Sequence, residues 1–325
     1  MSSSSSLAAL LPVRGVYLQM TLSEVFMNGL YTGLFFTTLY AMIFKRTARA
    51  ANIAVYFAVI AMYILATIHV ATRWFLVKTA FIDHGDSPAA TLLFLLRNPL
   101  WLGVLPAIAL TTNTLVADSV LIWRCWTVWN QNFIVIILPV LCTISGAVLG
   151  FLSVAEQARY IINPSLDRHT FVDFATPYFA LSLVTTLLAT LMIILRILMM
   201  TKFSPGIAKG YGNVIEIVVE SAALYSITLI VFLPFLVSGS FNDGYPQAIL
   251  VQMTGIAPTL IVARVSFGLA RPDETWAEQT NSFFFGSNTQ AAPTQIHLSG
   301  IPASTSSNVA GETKPDGSQT VYDAV

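Results

Sequence analysis

Seven apolar stretches, each close to bilayer-spanning length, occupy the chain between Val25 and Val265. That distribution makes lipid, not water, the solvent for most of the backbone. A helix needs about 20 mostly apolar residues to cross ~30 Å of hydrocarbon. The stretches fall near Val25–Phe44, Ile53–Ala71, Trp101–Trp123, Phe133–Val154, Phe174–Leu195, Val214–Val237 and Tyr245–Val265. In lipid every backbone amide needs an internal partner, which leaves helices or a closed barrel. Apolar runs without two-residue alternation exclude the barrel. The expectation is an all-α fold, a seven-transmembrane helix bundle over residues 25–267, with a short outer N-terminal segment, 1–24. Ala89–Leu96 is apolar too, but Arg97, Asn98 and Pro99 stop it, so it reads as an interfacial segment leading into the third span.

Composition agrees. Hydrophobic residues make up 55% of the chain and charged residues 10%, against about 25% charged in soluble domains. Too little polar surface exists to coat a globule. Lys+Arg and Asp+Glu both total 16, so no basic excess points to nucleic acid. Cys125 and Cys142 are too few for a disulfide scaffold. Leu7–Val13 is short and lacks a basic flank, so the first span, not a cleaved signal peptide, is expected to direct insertion. Residues 268–325 are dominated by Ser, Thr, Pro, Gly, Asn and Gln. Such a segment buries too little to offset its ordering entropy, and a disordered cytoplasmic tail is expected.

Basic residues set the orientation. Lys45, Arg46, Arg49, Arg124, Arg196, Lys202, Lys209, Arg264 and Arg271 gather on one side. Arg14, Arg73, Lys78, Arg97, Arg159 and Arg168 gather on the other. Nine against six places the N-terminus outside and the C-terminus in the cytoplasm.

The charges inside the spans form the main candidate site. Asp118 and Arg124 end the third span, Arg196 closes the fifth, Glu216 and Glu220 open the sixth, and Arg264 ends the seventh. Intramembrane charges are costly and tend to pair, and Glu216 and Glu220, four apart, share one helix face. The expectation is an inner-rim ion-pair network, Arg124 or Arg196 with Glu216/Glu220 and Arg264 with Asp118. The alternative is that Arg124 and Arg196 extend to lipid phosphates. Asn113 and Thr112, with Thr111 and Thr114, place a polar patch midway along the third span. It reads as interhelical hydrogen bonding or as the wall of a polar cavity. Trp123, Trp126 and Trp129 straddle the inner boundary as an interfacial belt, with Cys125 among them as an acylation candidate.

Catalytic and cofactor chemistry finds no motif. Lys45, Lys78, Lys202, Lys209 and Lys314 lie in loops, at a span edge or in the tail, so no lysine is placed for a retinal Schiff base. His69, His84, His169 and the nearby aspartates lack metal-ligand spacing. No catalytic activity, cofactor or metal is expected.

The run Asn113…Asp118…Ile122-Trp123-Arg124-Cys125-Trp126…Trp129, with Pro139 in the next span and Gly255-Ile256-Ala257-Pro258-Thr259-Leu260…Arg264 in the last, resembles an uncharacterised family of seven-span integral membrane proteins abundant in mushroom-forming fungi. The resemblance covers the seven spans, not the tail. It implies the topology and no activity. The layout also resembles G-protein-coupled receptors: an outside N-terminus, an arginine ending the third span, acids opening the sixth and a proline in the seventh. It departs from them in Trp123 before Arg124, in Ala257-Pro258 where Asn-Pro would stand, and in lacking cysteines for an outer disulfide. Fold analogy does not carry function. The functional expectation is receptor-like signalling, with a small or lipidic ligand outside and a cytoplasmic partner inside; the alternative is a transporter or lipid-handling protein.

Overall fold

A computed structural model describes residues 12–44, 53–163, 169–203, 208–238 and 241–267. Among the described residues there is no strand. The helices are α1 (Pro12–Phe44), α2 (Ile53–Lys78, continued by a π-helical turn, Thr79–Asp83), α3 (Pro88–Leu96), α4 (Leu100–Val128), α5 (Phe133–Ile162), α6 (His169–Phe203), α7 (Ala208–Ser238) and α8 (Gly244–Ser266). The expected tail, 268–325, lies outside the described residues.

Six helical segments are long and apolar enough to cross a membrane: Ile53–Asp83, Leu100–Val128, Phe133–Ile162, Thr170–Met199, Glu216–Ser238 and Gly244–Ser266. The chain is therefore a multi-pass integral membrane protein. α1 is not among the six, so the expected seventh crossing does not follow from length and apolarity. It is 33 residues long, so length is not the obstacle. Asn28, Tyr31, Thr32, Thr37, Thr38 and Tyr40 dilute its apolar character. Much of that polarity turns inward: Tyr31 and Thr38 are wholly buried, while Leu22, Phe26, Leu30, Phe36 and Ile43 point outward. α1 also begins at Pro12, well before the expected Val25. Proline is compatible with a first helical turn because its missing N–H has no partner there anyway.

The seven long helices form a ring in chain order, with α8 packed on both α7 and α1 to close it and α4 reaching inward to α6 and α8. α8 is 72% buried and α5 only 17% over their apolar windows. α8 is thus the internal post and α5 a lipid-facing wall. Ile134, Ile137, Leu138, Leu141, Ile144 and Val148 on α5 are all more than half exposed. In water such a patch would drive association; in lipid it is simply solvated.

Local signals fix the joints. Ser87 Oγ accepts from Ala90 N at 3.1 Å and Pro88 follows it, a regular N-terminal cap that starts α3 where the interfacial segment was expected. Between α4 and α5 the chain reverses through Asn130 and Gln131, whose φ values of 53° and 62° lie in the left-handed region. Gln131 N donates back to Trp126 O at 3.0 Å, and Asn132 Oδ1 then accepts from Ile134 N at 3.0 Å to open α5. Pro106, Pro139, Pro177, Pro234 and Pro258 all sit inside continuous helices.

Candidate functional site

At the end of the bundle where α1 and α4 begin and α2 ends, the helices part around a cavity of about 330 Å³. Leu76, Leu102, Pro106, Phe179, Phe232 and Leu236 make its apolar walls, and His69, Arg73, Gln157, Tyr160 and Gln247 add polar groups. Volume and mixed lining suit a small amphipathic molecule. Behind one wall lies a buried charge cluster. Glu24 of α1, 1% exposed, accepts from His69 Nδ1 of α2, itself 2% exposed. Arg73 Nε lies 3.9 Å from Glu24 Oε2. His69 and Arg73 are four apart, so one face of α2 presents both to α1. Arg73 NH2 also reaches Gln247 Oε1 at 3.4 Å on α8.

The floor of the cavity joins a second polar layer. Thr111 of α4 and Tyr178 of α6 both line it, and Tyr178 OH donates to Thr111 O at 3.0 Å. One turn further along α6, Ser182 Oγ donates to Asp118 Oδ1 at 3.2 Å and lies 3.0 Å from Tyr225 OH of α7. Asp118 is 2% exposed, and no ion pair to it forms among the described residues. The hydroxyl of Thr114, wholly buried, stands beside Tyr178 and Tyr225. From Thr111 to Asp118 is about 10 Å along α4, and from Asp118 to Arg124 about 9 Å more, at 1.5 Å per residue. Gly150 of α5 lets this layer close up, since a Cβ there would lie 2.9 Å from Thr111 Cγ2.

A third set of polar groups ties α1 to α8 and α2. Asn28 Nδ2 donates to Gln252 Oε1 at 3.3 Å, Tyr31 OH pairs with Thr259 Oγ1 at 3.4 Å, and Thr32 Oγ1 with Tyr63 OH at 3.2 Å. Gln252 Nε2 is left without a partner.

The expected inner-rim network is rearranged. Arg264 pairs with Glu220, not with Asp118, whose carboxylate is met by Ser182. Both members of the Arg264–Glu220 pair are substantially exposed, at 30% and 51%, so they face the helix surface. Glu216, one turn away and exposed, adds negative charge toward Arg264. Arg196 packs its guanidinium over the Trp129 ring, 5.3 Å from the centroid, while Trp129 Nε1 donates to Met192 O at 3.1 Å. Arg124 is 8% exposed and reaches no carboxylate among the described residues. It borders a void of about 20 Å³ with Tyr225, Thr254 and Pro258. The arginines therefore do not meet Glu216 or Glu220 as expected. Axial level placed these charges near one another, but their directions around each helix separate them.

The expected polar cavity wall also moves. Neither Asn113 nor Thr112 lines the 330 Å³ cavity; Thr111 does. Two residues advance a helix by about 200°, which turns Asn113 toward the face carrying Ala117. That face packs on Tyr31, Met62 and Ala66. Asn113 is wholly buried there with Nδ2 and Oδ1 unbonded, and Thr112 is half-buried. Cys125 is wholly buried beside Ile193 and Ile197, which removes it as a site of acylation in the folded chain.

Sequence reasoning passed over the Glu24–His69–Arg73 cluster and the Tyr178–Ser182–Tyr225 hydroxyls. The i,i+4 spacing of His69 and Arg73 was the available signal. The hydroxyl residues carried none, because Ser and Tyr are ordinary in spans. No family model matches the chain, and neither a curated protein nor a solved structure similar to it was found.

Proposed function

We propose that the chain is a receptor-like signalling protein that binds a small ligand in the cavity bordered by Arg73 and Tyr178. In this reading α1 is a seventh crossing, its polar groups screened by α2 and α8, with its start outside and the end of α8 in the cytoplasm. One observation carries the proposal. Tyr178 lines the cavity and also holds α4 through Thr111. A ligand that displaced Tyr178 would disturb the layer built on Ser182, Asp118 and Tyr225, and through α4 the buried, unpaired Arg124. A ligand shifts an equilibrium only by its differential contacts with two states, and Tyr178 supplies such a contact. A partner on the cytoplasmic side would read the change at Arg124 and the exposed Arg264–Glu220 pair.

The test is affinity purification of the full chain in mild detergent, asking whether a heterotrimeric G-protein subunit co-purifies and is released by Arg124→Ala. Reproducible capture lost in the variant is expected. Transport is the second reading, and the unbonded amide of Asn113 and Nε2 of Gln252 in mid-bundle favour it, because transporters need polar groups near the midplane. Absence of the subunit together with solute uptake by reconstituted vesicles would establish transport instead.

A further inference from the structure

Taking the cavity as the ligand site of the reading above, we infer that its ligand is an amphipathic organic monoanion whose carboxylate docks on Arg73. The guanidinium lines the cavity yet is under-used. It offers five N–H donors in a planar fork. Its contacts are Gln247 Oε1 at 3.4 Å and the Met20 sulfur at 3.6 Å. At 3.9 Å from Glu24 Oε2 its Nε makes no hydrogen bond, and Oε2 is likewise unbonded although Glu24 is 1% exposed. His69 and Arg73 face the cavity, whereas Glu24 sits behind them and does not line it. The wall presented to a ligand is therefore basic, with the acid that balances it on the far side.

A carboxylate in front of Arg73 would accept from its two terminal nitrogens, since Nε is buried on the Glu24 side. The remaining acid at the cavity, Asp243, stands at the rim where α8 begins and has contacts of its own within the chain. The opposite walls, Leu102, Pro106, Phe179, Phe232 and Leu236, offer no partner for a second charge and suit an aromatic or aliphatic body. A volume of about 330 Å³ lies at the small end of ligand pockets, which suits a compact molecule.

Three probes of one shape decide the charge: 4-phenylbutyrate, 4-phenylbutanol and 4-phenylbutylamine, titrated against the full chain in detergent. The readout is the thermal unfolding midpoint followed by the fluorescence of its six tryptophans. The carboxylate should bind on the order of tenfold to a hundredfold tighter than the alcohol, the range for hydrogen bonds to a charged group. Arg73→Gln should erase that preference while sparing the alcohol, Arg73→Lys should keep part of it, and Ala107→Trp should block all three probes. Equal binding of acid and alcohol, or tighter binding of the amine, overturns the anion assignment and leaves the cavity as a ligand site. Because the wild-type comparison needs no variant, a misfolded Arg73→Gln does not blunt it. Failure of all three probes at millimolar concentration overturns both the assignment and the cavity reading.

Discussion

At the level of single residues, the Glu24 cluster and the Asp118 layer test different physics. Among the described residues Glu24 is the one acid paired with His69 and Arg73. Glu24→Leu leaves the buried His69 without its acceptor and the part-buried Arg73 without its counter-charge, and losing a buried hydrogen bond to a charged group costs about 1.5–3 kcal/mol. A large drop in the thermal midpoint is expected, with Glu24→Gln falling between because it still accepts from His69. Asp118→Leu should cost about 1–3 kcal/mol by removing the acceptor of the buried Ser182 hydroxyl, and Asp118→Asn much less, since the amide oxygen still accepts from Ser182. Glu220→Leu, by contrast, should leave the midpoint unchanged, because its pair with Arg264 lies at the helix surface. Asp118 was legible from the sequence as a buried charge. Its partner was not, because position along a span fixes depth, while direction around the helix depends on how neighbours pack. Arg264 pairs with Glu220 of α7, five residues and about 7.5 Å along that helix from Tyr225, which shares the Asp118 layer.

At the level of elements, α1 is where sequence and structure part most. Hydropathy separates the other six spans plainly, because their apolar residues are continuous. The outward face of α1 is mostly apolar, and its inward face mixes buried Phe35 and Met42 with polar groups spent on Gln252, Thr259 and Tyr63. A window average cannot tell a helix with a screened polar face from one that is polar throughout. The joint with α8 is close at Gly255, where an added Cβ would stand 2.6–2.8 Å from the hydroxyl and ring of Tyr31. Gly255→Ala should therefore destabilise the bundle by about 1–3 kcal/mol through overpacking. The double variant Gly255→Ala/Tyr31→Leu should recover part of the loss in the same unfolding assay. A single and double variant that lose equally would show that α1 and α8 do not meet there. The α3 segment was legible because Arg97, Asn98 and Pro99 bound it and Ser87-Pro88 caps it.

At the level of the whole molecule, the ring of seven helices places a cavity at one end and an unpaired buried arginine at the other, with polar contacts along α4 from Thr111 to Asp118 and the helix itself spanning the rest. The length of the apolar stretches discloses the helices; it is silent on their packing order and on the cavity, which depends on how α2, α4, α6 and α8 diverge. Its function depends on which end faces out, and both follow from the number of crossings. The direct measurement places a tag at each chain end and exposes intact and permeabilised membranes to protease. With α1 as a crossing, the N-terminal tag is cleaved from outside and the C-terminal tag is protected until permeabilisation. Tags that share one compartment would leave α1 outside the spanning set and remove the side-to-side relay from the Arg73 cavity to Arg124.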